Sequence, residues 1–285
     1  MTLVVTKEQR GASAITKEEW REYTKTVWSI ANVSDPEHPA VFPPELPKRL
    51  IKMFSFIEET VLDPFGGTGT TGRVAAELGR RGICVDQSEV YIERMLRDKE
   101  ALGDTANLFE PRLGDARKLD LEDESVGLAI TSPPYWNKAD YGSGEANLGN
   151  VPGYLEFIES MRPAFEEVYR VLAPGRKFAV NTANVNQHTN HGLLTFPLAT
   201  DLVILLRQIG FVLINEIIWN KDGTGGRWGS ANNQRPIFGS YPYPPNFLFK
   251  NVHEYVIIVA KPPTKKSVGK TVLPYDQLMR LPDRD

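Results

Sequence analysis

The chain holds a single cysteine in 285 residues. One thiol excludes an internal disulfide and any zinc cluster built on paired cysteines. Its setting, Gly82-Ile83-Cys84-Val85, predicts a buried strand in which Cys84 is a small apolar filler. No apolar run approaches the ~20 residues that cross a bilayer. Met1 to Arg10 has no secretory apolar core, so the expectation is a cytoplasmic protein. A net charge of −3 argues against a broadly basic nucleic-acid binder, and any polyanion contact must rest on a local positive field. Acid is also missing locally: from Gly223 through His253 there is neither Asp nor Glu. What is present is ordinary for a globular chain, 41% hydrophobic and 24% charged, enough for one large or two modest domains.

Strand and helix signals alternate along the chain. Residues 1–36 are polar and mixed, a peripheral arm whose Trp20 and Trp28 are expected to pack on the main body. After the proline-stiffened His38 to Pro44, Leu46, Leu50, Met53, Phe54 and Ile57 fall at helical spacing and predict a helix over 45–57. Thr60-Val61-Leu62-Asp63 predicts a strand, Arg73 to Arg80 a helix, and Gly82 to Asp86 a second strand. Ser88 is the expected cap of a helix running to Leu102. A third strand ends near Asp115 and a fourth spans Val126 to Thr131. Later elements are a helix over Tyr154 to Leu172 stopped by Ala173-Pro174-Gly175, a strand over Lys177 to Asn181, a polar loop over Asn184 to Gly192, a helix over Leu194 to Ile209, and apolar strands over Phe211 to Trp219 and Glu254 to Lys261. This alternation predicts an α/β fold with a doubly wound, mostly parallel sheet. Ligands of such sheets sit beyond the carboxyl ends of the strands. Asp63, Asp86, Asp115 and Ser132 all fall there, so one crevice should collect them.

Two stretches carry chemistry. In Thr131-Ser132-Pro133-Pro134-Tyr135-Trp136 an apolar strand runs into two prolines, which cannot continue a ladder and hold the preceding residue extended. The resulting rim offers the Ser132 hydroxyl, a carbonyl beside proline and the Tyr135 face. A flat, amino-bearing ring could be held there, as a base swung out of a duplex requires. The same residues also read as a Pro-Pro turn with two aromatics packed beneath. The second stretch, Pro64 to Gly72 between a strand and a helix, lets backbone approach a ligand closely, with helix N–H groups facing it. Gly67, Gly69 and Gly72 satisfy the dinucleotide spacing, which alone is weak. Asp63 before the glycines would repel a pyrophosphate and suits a cationic ligand.

In this order, Asp63-Pro64-Phe65-Gly66-Gly67-Thr68-Gly69, Val85-Asp86, Gly114-Asp115-Ala116 and Thr131 to Trp136 resemble the motifs of S-adenosylmethionine-dependent DNA amino-methyltransferases. His38-Pro39-Ala40-Val41-Phe42-Pro43 resembles the segment such enzymes place behind the methionine end of the cofactor, and Ile217 to Lys221 and Val252 to Tyr255 resemble two later signatures. The likeness covers roughly residues 26–261. It implies a seven-stranded Rossmann-like methyltransferase sheet with S-adenosyl-L-methionine held by His38, Phe42, Asp63, Phe65, Gly67, Thr68, Gly69, Thr70, Asp86, Gln87, Asp115 and Ala116. The glycine loop would take the methionine part, Asp86 the ribose and Asp115 the adenine amine. Ser132, Pro133, Pro134 and Tyr135 would hold the target base. Serine at the first position of that core resembles the cytosine-N4 enzymes, and the adenine-N6 reaction is the alternative. An NAD-dependent oxidoreductase and a non-catalytic DNA-binding module are more distant readings.

The residues between Gly69 and Thr131 are used up by strands and helices, so target recognition must lie later in the chain. The acid-free stretch supplies Arg227, Arg235, Asn232, Asn233, Tyr241 and Tyr243, residue types that read base edges or stack on bases. A Gly/Pro-rich hairpin with self-packed aromatics is the plainer reading of the same residues. The expected organisation is an arm at 1–36, a cofactor-binding catalytic domain at 37–222, a recognition insertion at 223–253, and a last strand and tail at 254–285. Double-stranded DNA is the implied partner, and whether a cognate restriction endonuclease accompanies the enzyme stays open. Methylation at a ring carbon would need a nucleophilic cysteine, for which Cys84 is badly placed. His188 and His191 have no carboxylate or thiol beside them in sequence, so a solvated loop is preferred to a metal pair.

Overall fold

The computed structural model describes residues 5–33, 43–138, 148–221, 240–249, 251–264 and 275. Two short helices, α1 (Lys7–Ala12) and α2 (Lys17–Tyr23), each begin with a capping box, Thr6 with Gln9 and Thr16 with Glu19. They lead into β1 (Val27–Ser29). Then come α3 (Glu45–Phe54), β2 (Thr60–Asp63), α4 (Thr70–Glu77), β3 (Arg81–Asp86), α5 (Glu89–Glu100), β4 (Phe109–Leu113) and β5 (Val126–Thr131). The second half holds α6 (Tyr154–Ser160), α7 (Arg162–Val171), β6 (Leu172–Thr182), β7 (Val185–Thr189), β8 (Gly192–Phe196), α8 (Leu198–Ile209), β9 (Val212–Asn220) and β10 (His253–Ala260).

Eight strands form one sheet in the order β1-β9-β10-β6-β5-β2-β3-β4, one more than expected. β6, β5, β2, β3 and β4 run parallel; β10 is antiparallel to both β6 and β9. The extra strand comes from the segment expected to be a peripheral arm: β1 pairs parallel with β9, Trp28 opposite Trp219. Trp28 is 1% exposed and donates its indole N–H to the Tyr23 carbonyl at 3.2 Å. Trp20, expected to pack likewise, is 56% exposed.

Side chains alternate across the sheet. Leu62, Ala129, Phe178, Ile257 and Val259 pack on one face beneath α6, α7 and α8. Val61, Leu128, Ile130, Ala179, Val256 and Ile258 pack on the other, beneath α3, α4 and Trp28. Cys84 is fully buried against Phe109 and Met95 of α5, and burial holds its thiol well above the usual range.

Several expected elements differ. The helix expected over 154–172 is two helices meeting at Met161, where Pro163 opens the second. Proline there lacks an N–H and crowds the preceding turn, so one continuous helix would be kinked. The helix does end before Ala173-Pro174-Gly175, at Val171, but these residues already belong to β6, and the pairing register with β5 shifts there. The expected polar loop over 184–192 is the hairpin β7–β8, with Val185 opposite Phe196, and α8 starts only after Pro197. Ser88 stands at the start of α5, but its side chain makes no capping bond.

Candidate active site

The chain order within the sheet reverses between β2 and β5, which are neighbours although β3 and β4 lie between them in sequence. Beyond such a reversal the two flanking loops diverge and leave a crevice. Asp63 ends β2 and Thr131 ends β5. The Thr131 hydroxyl donates to Asp63 Oδ1 at 2.8 Å, closing the floor of the crevice. Asp63 Oδ1 also accepts from the Phe65 N–H at 3.1 Å, and Oδ2 accepts from the Thr71 hydroxyl at 2.7 Å. Only 1% exposed, the Asp63 carboxyl ties β2, β5 and the start of α4 into one unit. Burial pushes its pKa up to about 7, although the donating hydroxyls and the amide pull it down.

The loop between β2 and α4 folds over that anchor. Gly67 (φ +50°) and Gly69 (φ +78°) take conformations closed to most side chains, which turn the chain into the helix. The Gly67 N–H donates to Asp86 Oδ2 at 2.8 Å, and Asp86 Oδ1 accepts from the Ser88 N–H at 2.9 Å. Burial raises the Asp86 pKa, opposed by those amides. The Gly114 N–H donates to the Asp86 carbonyl at 2.9 Å, which brings Gly114-Asp115-Ala116 alongside. Arg117 holds the Asp115 carboxyl with contacts of 2.6–3.0 Å and keeps its pKa below the usual carboxylate range. Ala116 is buried, Thr68 and Thr70 are buried with their hydroxyls 3.3 Å apart, Phe65 is half-buried and Gln87 is exposed. No Lys or Arg lies between Thr60 and Gly72. This cradle of backbone amides, glycines and carboxylates fits a cationic ligand better than a pyrophosphate. His38 and Phe42 lie outside the described residues.

On the other wall the chain leaves β5 through Ser132 and two prolines. Pro133 is buried, Pro134 half-buried. Trp136 has φ +52°, unusual for a bulky residue. Packing holds it there: its ring sits 5.3 Å from Tyr154 and 5.0 Å from Phe196, and its N–H donates to the Val151 carbonyl at 3.0 Å. The hairpin β7–β8 braces the rim further, with Asn137 donating to Gln187 at 3.3 Å and the Lys138 ammonium on the Asn186 carbonyl. The turn-with-packed-aromatics reading therefore describes Trp136, while Ser132 and Tyr135 face a polar network.

That network contains residues to which the sequence reading gave no role. Ser132 Oγ lies 3.0 Å from Tyr135 Oη, which lies 3.0 Å from Glu254 Oε2. The Asn181 amide nitrogen lies 2.7 Å from both Tyr135 Oη and Glu254 Oε2, and the Lys221 ammonium bonds Glu254 Oε1. Asn181, Lys221 and Glu254 are each buried, at 2%, 3% and 7% exposed. A signal existed: an acid and a lysine at the mouths of the apolar strands β10 and β9, and an amide inside β6, are polar groups that a sheet buries only with partners.

Of the residues expected to read DNA, Tyr241 and Tyr243 are 67% and 74% exposed, beside Phe247 and Phe249. Arg227, Asn232, Asn233 and Arg235 lie outside the described residues. His188 and His191 lie on the hairpin, and among the described residues no group of three His, Cys, Asp or Glu could hold a metal. No helix among them is long and apolar enough to cross a membrane.

A sheet with its last strand reversed, a glycine loop after the β2 acid and a second acid ending β3 define a Rossmann-like methyltransferase fold. A solved S-adenosylmethionine-dependent methyltransferase from Methanosarcina mazei shares it, with a TM-score of 0.50 at 15% identity over 75% of this chain and 97% of that one. The profile of the N6/N4 DNA methylase family matches residues 3–97 and 126–282, and the chain belongs to that family. The type II methyltransferase M.MjaI of Methanocaldococcus jannaschii is 30% identical over 197 residues, which are 60% of this chain and 62% of that protein. A candidate DNA modification methylase of Thermus thermophilus, solved with S-adenosyl-L-methionine, is 27% identical over 58% of this chain and 62% of its own, with a TM-score of 0.40. The chain thus spans about three fifths of the length of these two relatives.

Proposed function

We propose that this protein transfers a methyl group from S-adenosyl-L-methionine to the N4 amine of a cytosine extruded from double-stranded DNA. The observation that carries the reading is the Thr131–Asp63 bond at the sheet's reversal point. It ties the cofactor-type loop to the strand end whose next residue is Ser132, so donor and acceptor sites share one crevice. S-adenosyl-L-methionine, when bound, supplies an electrophilic methyl group on a sulfonium. The loop from Asp63 to Thr70, with Phe65, would hold its methionine part in the field of buried Asp63. Asp86 would take the ribose hydroxyls, because each of its oxygens keeps a second lone pair after accepting from backbone. Asp115 and Ala116 would border the adenine, with Gln87 at the rim and His38 and Phe42 behind the methionine end.

The cytosine amine is a weak nucleophile because its lone pair is delocalised into the ring. Ser132 Oγ and the Pro133 carbonyl would accept its two hydrogens, localise the pair and aim it along the line of transfer. When bound, the sulfonium would supply the methyl group and keep the electron pair of the broken bond, while the amine held by Ser132 and the Pro133 carbonyl would release its surplus proton to solvent. No covalent enzyme intermediate is needed, consistent with Cys84 sealed in the core. Exposed Tyr241, Tyr243, Phe247 and Phe249 suit stacking on DNA, and the same acid-free stretch of sequence carries Arg227, Asn232, Asn233 and Arg235. The arm, catalytic, recognition and tail boundaries given above belong to the same proposal.

The test is nucleoside mass spectrometry of DNA from expressing cells. N4-methylcytosine is expected with the wild-type protein and should be lost in Ser132→Ala and Tyr135→Ala while S-adenosyl-L-methionine still binds. N6-methyladenine instead would move the substrate to adenine, and unmodified DNA would overturn the reading.

A further inference from the structure

We infer that Glu254, held by Lys221, is a positioning residue that orients the hydrogen bonds of Tyr135 and Ser132 so that the serine oxygen faces the substrate amine as an acceptor. The inference rests on the reading of Ser132 as the group that binds that amine. A serine hydroxyl can donate or accept, and only the accepting orientation withdraws a hydrogen from an amine. What fixes the choice lies two residues away along the hydrogen-bond chain.

The direction follows from one group that cannot donate. A carboxylate paired with an ammonium only accepts. The Tyr135 oxygen, 3.0 Å from Glu254 Oε2, must therefore give it the phenolic hydrogen; otherwise lone pairs would face each other in a buried site. With its own hydrogen committed, Tyr135 Oη can only accept from Ser132 Oγ at 3.0 Å. The serine hydrogen thus points inward, and its remaining lone pair is turned outward. Asn181 reinforces the order. Its atom 2.7 Å from Glu254 Oε2 must be the amide nitrogen, whose second hydrogen goes to Tyr135 Oη at 2.7 Å; Ser132 Oγ, at 3.4 Å, is the longest contact. That orientation leaves Asn181 Oδ1 buried without a hydrogen-bond partner, so the amide is held by its nitrogen alone. Lys221 lies on Glu254 Oε1 and over the Trp219 ring, 4.1 Å from its centroid, which holds the carboxylate in place. Three strands supply the chain: Asn181 from β6, Glu254 from β10 and Lys221 just after β9, where its N–H bonds the Val252 carbonyl at 2.9 Å.

The experiment uses the full chain with S-adenosyl-L-methionine and duplex DNA. Glu254→Met/Lys221→Met removes both charges and keeps the volume filled, a replacement that is often neutral in stability. The expected result is a kcat fall on the order of 10²-fold, with the DNA KM and cofactor Kd within about threefold. Tyr135→Phe cuts the same chain and should fall by a similar factor. Adding Tyr135→Phe to the double variant should cost little more, because both act through one device. Retained kcat in the double variant, or losses that multiply, would overturn the inference. If the double variant does not melt cooperatively, Tyr135→Phe decides alone: a kcat fall with unchanged cofactor Kd supports the chain, and unchanged kcat sinks it. Failure of the wild type to methylate DNA would be a failure of the function reading, separate from these outcomes.

Discussion

Replacing Gly82 by alanine tests the claim that the cofactor-type loop is placed by glycine-to-glycine contact between β3 and α4. A Cβ at Gly82 would lie 2.3 Å from the Gly72 carbonyl oxygen and 2.6 Å from its Cα, where ordinary contact starts at 3.4 Å. The obstacle is backbone, so no rotamer change relieves it, and α4 must retreat by roughly an ångström. It cannot do so freely, because Gly72 already sits against Phe109, a fully buried ring. Overpacking of this kind costs about 3 kcal/mol, the upper end of the usual range. For a chain of this size that lowers Tm by roughly 6–12 °C. The retreat carries Gly69 and Thr70 with it, so cofactor affinity should fall about tenfold or more, as ångström-scale misplacement does. Gly11→Ala is the control, since nothing lies within 4 Å of a Cβ there. Thermal melts followed by circular dichroism and titration calorimetry with S-adenosyl-L-methionine read both effects. A Gly82→Ala protein with wild-type Tm and affinity would refute the packing argument.

The remaining predictions probe the acids and the edge strand. Asp63, its pKa raised to about 7, keeps its proton better folded than unfolded, so its contribution to stability is full below the usual carboxylate pKa and is lost as pH rises through 7. Asp63→Asn should flatten the fall of Tm between about pH 4 and 7, and parallel Tm profiles for the two proteins would refute this. Asp86→Ala removes the acceptor of the Gly67 and Ser88 amides and should raise the cofactor Kd about tenfold, near 1.4 kcal/mol, with the DNA KM unchanged; calorimetry and steady-state kinetics check it. Trp28→Ala should cost about 3–5 kcal/mol and Trp20→Ala less than about 0.5, because one ring is buried and the other exposed. Equal Tm losses would contradict β1 as part of the sheet.

Elements with strong local signals were legible in the sequence. β2, β3 and β5 are apolar runs ended by Asp63, Asp86 and the prolines after Ser132, and their order alone placed those side chains at one end of a parallel sheet. Weak or interrupted signals misled. β7 and β8 are short, and apart from Val185 none of their residues is fully buried, so burial imposed no apolar pattern on them. The helix over 154–172 looked continuous because both halves keep one apolar face across the break at Met161. β1 has three residues and a single buried side chain, too little for a pattern of period two.

Residue order along the chain by itself determined the class of fold and the order of the motifs, because each motif depends on neighbours a few positions apart. Only the tertiary structure decided that Lys221 and Glu254, the latter 119 positions from Tyr135, complete the site. The reason is that strand pairing across β9, β10 and β6 is long-range. A buried carboxylate acquires direction from the partners the sheet brings to it, and no local spacing encodes that.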